Sequence, residues 1–190
     1  MTAQPDAGHR RRRFTVEDYR RMAEAGVLDD EDRVELLDGE IVEMTPIGSR
    51  HASHVKKIAS ILRELETDRA ILSVQDPIRL GEYSVPKPDL ALLRSRDDFY
   101  RDAHPEPDDV YLIVEVADTS ANFDRTRKLP LYAEQQIPAV WLIDLGEERL
   151  EIYEKPVDGE YTVIRKPPFD ESVDVLPNAE RSVRVGDLFV

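Results

Sequence analysis

The sequence predicts a mixed α/β domain, a central sheet flanked by helices and preceded by an N-terminal helix and hairpin. Three observations predict it. Residues 110–116 and 139–144 are almost continuously apolar, as strands covered on both faces are. Helical periodicities fall before and between them, so strands and helices interleave. The 190 residues suit a single domain and suffice to bury a core without disulfides or a structural metal.

The elements follow in order. Residues 1–13 read as a flexible lead ending in Arg10, Arg11, Arg12 and Arg13, and residues 14–190 as the single domain. Thr15 and Asp18 have the spacing of a capping box, which predicts a helix to Ala25 with Gly26 as its stop. Residues 33–44 form a hairpin about Asp38-Gly39, the favoured two-residue turn. Its alternation sets Val34 and Leu36 on one face and Arg33, Glu35 and Leu37 on the other. A helix over 49–66 carries Val55, Ile58, Ala59, Leu62 and Leu65 as a core stripe.

Short strands are expected near 71–80 and 82–85, then an apolar strand over 88–93 with Asp89 at its start. Residues 95–109 are polar loop with a helical turn. After the 110–116 strand a helix spans 121–135, and Pro130 within it calls for a kink or a late start. The 139–144 strand holds Trp141, a core residue. Residues 149–155 and 161–166 pair about Asp158-Gly159, and the acidic remainder is edge strand or coil.

Composition narrows the function. The absence of cysteine excludes a disulfide scaffold, thiolate zinc, iron–sulfur clusters and a cysteine nucleophile, and fits a cytoplasmic protein. No apolar run approaches the roughly 20 residues needed to span a bilayer, and the basic N-terminus lacks the apolar stretch of a secretory signal. With 26 Lys+Arg against 40 Asp+Glu the net charge is −14, which opposes tight, non-specific binding of polyanions. The surplus acid lies mostly beyond residue 75. No glycine-rich phosphate loop is present, and neither Ser53 nor Ser120 has a nucleophile-elbow context.

Three carboxylates occupy unusual positions. Glu35 lies in a hairpin strand, Asp89 opens an apolar strand, and Glu115 interrupts the most hydrophobic run in the chain. A carboxylate in a buried strand costs several kcal/mol unless it is paired, hydrogen-bonded or metal-bound. If the strands of Asp89 and Glu115 are neighbours, about 5 Å apart, both acids can bind one hard cation. A bound Mg²⁺ lowers the pKa of its water and polarises a phosphoryl oxygen. The plainer alternative is a set of edge acids or ion-pair partners.

Pro88-Asp89 followed by Glu115 on a hydrophobic strand resembles the signature of the PD-(D/E)XK restriction-endonuclease-like superfamily. A longer series of segments carries a more specific resemblance. These are residues 14–19, 35–40, 46–51, 85–90, 114–120, 124–133 and 137–144. In that order they resemble the Uma-two family, which goes by the description "putative restriction endonucleases". The resemblance implies a restriction-endonuclease-like α/β fold and Mg²⁺-dependent (or Mn²⁺-dependent) hydrolysis of phosphodiester bonds in DNA by a homodimer. It implies Asp89 and Glu115 as metal ligands, with Glu35 helping to hold the metal. The motif lysine is missing, because Ala117 stands two residues after Glu115. Lys128, on the following helix, matches the family's displaced lysine and would orient water and stabilise charge on the phosphate. By spacing alone, Asp124 and Lys128 would be an i,i+4 surface ion pair. His51 matches a histidine at the start of the second helix and would contact a phosphate or position water.

Two rivals stay open on the sequence. One is a catalytically inactive nuclease-fold interaction module, favoured by the net charge and the displaced lysine. The other is a glycosidase using paired carboxylates, which would need a sugar-stacking aromatic cleft.

Overall fold

The computed structural model describes residues 12–29, 32–64, 69–176 and 182–190. His9, Arg10, Arg11 and Leu65 lie outside the described residues. Helix α1 (Val16–Glu24) begins with the expected capping box: the Thr15 hydroxyl accepts from the Asp18 N–H at 3.0 Å, and the Asp18 carboxylate accepts from the Thr15 N–H at 3.1 Å. Gly26 stops the chain's helical course at φ +68°. Arg13, assigned to the lead, is anchored. Its guanidinium stacks 4.1 Å from the centre of the Tyr83 ring and donates to the Asp38 carbonyl at 2.8 Å.

Strands β1 (Val34–Leu37) and β2 (Glu40–Glu43) make the hairpin, with Asp38 and Gly39 both at positive φ as its turn requires. All four β1 residues are buried, so both faces of the alternation are covered. The strand is enclosed on one edge, where Val85 donates its N–H to Leu36 at 2.7 Å, while Leu37 packs into the core on the crossover side of the sheet. Helix α2 (Ser49–Arg63) lays Val55, Ile58, Ala59 and Leu62 on the sheet.

Six strands form the central sheet: β3 (Ala70–Val74), β4 (Leu90–Arg94), β5 (Val110–Ala117), β6 (Ala139–Asp144), β7 (Arg149–Val157) and β8 (Glu160–Arg165). They lie side by side in chain order. Only β5 and β6 are parallel, and the helical segment between them supplies the crossover such a pair needs. Strands β9 (Ser172–Asp174) and β10 (Ser182–Arg184) pair separately. Each face of the sheet carries its own core. Leu112, Val114, Val116 and Trp141 face α2, while Ile113, Ala117, Val140 and Leu142 face the crossover helices. No helix among the described residues is long and apolar enough to cross a membrane.

Three expected elements differ. The strand expected near 71–80 ends at Val74, because Gln75 adopts φ +57° and Pro77 has no N–H for a ladder. The stretch 82–85 makes only single bridges, Leu80 to Ser84 and Val85 to Leu36. The helix expected over 121–135 runs as α3 (Ala121–Phe123), a π-turn Asp124–Lys128, and α4 (Leu129–Glu134). Pro130 sits in the first turn of α4, where its missing N–H is tolerated. The wide turn before it absorbs the misfit that a kink was expected to absorb.

Candidate active site

The sheet register builds the site. Leu90 of β4 lies opposite Val114 of β5, so the next step brings Asp89 beside Glu115. A hydrogen bond ties them further: the Val116 N–H donates to Asp89 Oδ2 at 2.9 Å. Glu115 takes its place in the row between Ile113 and Ala117, on the crossover side. The anomaly visible in the sequence is therefore a buried carboxylate inside an apolar row.

All five expected residues, Glu35, His51, Asp89, Glu115 and Lys128, line one cavity of about 450 Å³. The π-turn directs Lys128 inward. Its ammonium lies 3.2 Å from Glu115 Oε1 and 3.3 Å from Glu35 Oε1, with both carboxylates buried. This replaces the surface pair that i,i+4 spacing suggested. Asp124 is buried too, and accepts from the Ser120 hydroxyl at 2.8 Å. Glu35 is fixed on its other oxygen by the Lys87 N–H at 3.0 Å. His51 Nε2 lies 2.9 Å from Asp89 Oδ1, so the imidazole addresses the carboxylate.

Two further partners complete the site. Gln75 donates to Asp89 Oδ1 at 3.2 Å, from a backbone position that ends β3. Tyr132 is fully buried and donates its hydroxyl to Glu115 Oε1 at 2.6 Å.

Burial shapes the charges here. It pushes the Glu115 carboxyl up to about 8, against Lys128 and with help from Asp124 and Asp89. Burial also raises Asp124. For Lys128 burial works against the charge, but Glu115, Glu35, Asp124 and Asp89 together outweigh it and hold the ammonium protonated. His51 is raised by its hydrogen bond to Asp89.

Asp89 and Glu115 supply hard oxygen donors facing a common cavity, which suits Mg²⁺, an ion that uses one or two carboxylates and fills its shell with water and phosphate oxygens. Glu35 stands against Lys128. Among the described residues no three acidic or histidine side chains are grouped so as to hold an ion between them. The arrangement thus offers two candidate ligands, an ammonium beside them, and an oriented imidazole.

No curated protein matches the chain. A solved structure from Anabaena variabilis, described as a "putative nuclease belonging to DUF820", is similar with a TM-score of 0.64 at 17% identity, over 93% of this chain and 97% of that one. At that identity the likeness establishes the fold, which is the restriction-endonuclease-like mixed sheet the sequence resemblance implied. A family match over residues 16–184 extends across both sheet faces and every cavity residue named above, and on it the chain belongs to the Uma2 family, "Putative restriction endonuclease".

Proposed function

We propose that this chain is an endonuclease that hydrolyses phosphodiester bonds in DNA with Mg²⁺ as its cofactor. The observation that carries the reading is the meeting of Asp89 and Glu115 on adjoining strands, in a cavity that also receives the Lys128 ammonium. Asp89 and Glu115 would hold the ion, which when bound would lower the pKa of water and polarise a phosphoryl oxygen. The chain's own residues do the rest. His51, Gln75 and the Val116 N–H hold the Asp89 carboxylate in one orientation. Lys128 and Tyr132 both contact Oε1 of Glu115, and Oε2 takes no partner among the described residues. Lys128 orients the attacking water and stabilises charge on the phosphate, from a position set by Glu35. A homodimer accords with this reading, since two sites would meet two strands.

One observation favours the rival, an inactive binding module: Lys128 already pairs with both Glu35 and Glu115 from within the cavity. Cleavage of labelled DNA with Mg²⁺, Mn²⁺ or chelator, by the parent and by Asp89→Asn, separates the two. The reading expects ion-dependent cleavage that the substitution removes while circular dichroism stays unchanged. Equal cleavage by both proteins would remove Asp89 from the mechanism. A parent that cuts nothing and shows no saturable Mg²⁺ binding by calorimetry would leave the inactive module.

A further inference from the structure

We infer that Arg125, Arg149 and Lys166 form a second phosphate-binding surface, which holds the DNA backbone beside the cleavage point. This rests on the endonuclease reading and extends it to how the substrate lies.

The placement comes from the sheet register. Glu115 is paired with Leu142, and Leu142 with Glu151. The three therefore stand in a single row on the crossover face. At two strand spacings Glu151 lies about 10 Å from Glu115, or roughly three base-pair rises of 3.4 Å. Arg125 follows directly on Asp124, which lines the carboxylate cavity.

The chemistry comes from an imbalance. Three cations converge on Glu151: Arg125 at 3.1 Å, Arg149 at 3.0 Å and Lys166 at 2.9 Å. The Tyr153 hydroxyl donates to the same carboxylate at 2.5 Å, and Arg125 also reaches Asp144 at 2.5 Å. Glu151 is wholly buried, yet the side chains of the three cations are 31%, 37% and 48% exposed. One arginine would satisfy a buried carboxylate. Adding two more cations beside it costs mutual repulsion, which an external anion would relieve. Three cations against Glu151 and Asp144 leave this patch positive in a chain of net charge −14. The buried carboxylate also fixes the cations in place, so their outward donors are pre-organised for a phosphate.

The test is binding of a short fluorescein-labelled DNA duplex, by anisotropy, in chelator and across a salt series. The variants are Arg149→Gln, Lys166→Gln and the pair, since glutamine can still donate to Glu151. Arg101→Gln, on the exposed loop before β5, controls for the loss of one charge anywhere. Each single change in the patch should weaken binding about three- to tenfold and lower the slope of log K against log salt by about 1. Arg101→Gln should leave both unchanged, and Mg²⁺ affinity should be the same in every variant. If the patch variants bind like the parent, or if Arg101→Gln weakens binding as much as they do, the inference is overturned and the endonuclease reading survives. If the parent neither binds nor cuts DNA, both fall together.

Discussion

His51 on α2 and Asp89 at the entrance to β4 are joined through Nε2 and Oδ1 at 2.9 Å. That contact, with the Gln75 amide on the same oxygen, makes the histidine a holder of a candidate metal ligand. His51→Ala should therefore weaken Mg²⁺ affinity about 10- to 100-fold, the usual effect of losing a group that orients a ligand, with the fold kept. Calorimetric titration of the variant reads this directly. An affinity equal to the parent's would show that Asp89 needs no such support.

Lys128 is the only cation in contact with either Glu35 or Glu115 among the described residues. Lys128→Met would leave two buried carboxylates without it, a defect of about 3–5 kcal/mol for a broken buried pair. Adding Glu35→Gln should recover part of that stability but none of the DNA cleavage. Urea unfolding of the single and double variants measures the coupling. Additive effects would mean that the ammonium and Glu35 do not interact.

Tyr132 donates a 2.6 Å hydrogen bond to Glu115 from inside the core. Tyr132→Phe removes one oxygen and no packing, so it should cost about 1–3 kcal/mol by leaving a buried acceptor short of a donor. It should also change Mg²⁺ affinity, which a purely structural hydroxyl would not do. The two readouts, melting and ion titration, are separable.

Acid should loosen the far end of the same row. Burial opposes the charge on Glu151, but hydrogen bonds from Arg125, Tyr153 and Lys166 prevail and hold it at about 2, below its ordinary 4.5. A carboxyl lowered in the folded state adds stability above its unfolded value, and that stability is lost as pH falls through the folded one. The parent should thus lose stability between about pH 4.5 and 2, and Glu151→Gln should flatten that limb. Chemical denaturation across this range tests it. A parallel loss in both proteins would assign acid sensitivity to other groups.

Much of this molecule can be read from its residues. The Thr15 capping box, the Asp38-Gly39 turn and the two apolar central strands are local signals, and each is where it was expected. Asp89 and Glu115 stood out because charge inside an apolar run conflicts with burial. Gln75 and Glu151 carried no such mark. Gln75 reaches Asp89 only because φ +57° turns the chain at the end of β3, and Glu151 draws its cations from the π-turn, from its own strand and from the residue after β8. The inward aim of Lys128 was carried by the resemblance and not by spacing, because i,i+4 pairing presumes an α-helical turn where a π-turn occurs.

That turn has an evolutionary consequence. It carries one residue more than an ordinary helical coil, so deleting a single residue from Asp124–Lys128 would mend the backbone pattern and swing one half of the helix by about 100° against the other. Asp124 and Arg125 would lose their alignment with the cluster of Leu131 and Tyr132. The shorter chain would gain in regularity what it forfeits in aim, so length here is under a constraint that substitution tables would not reveal.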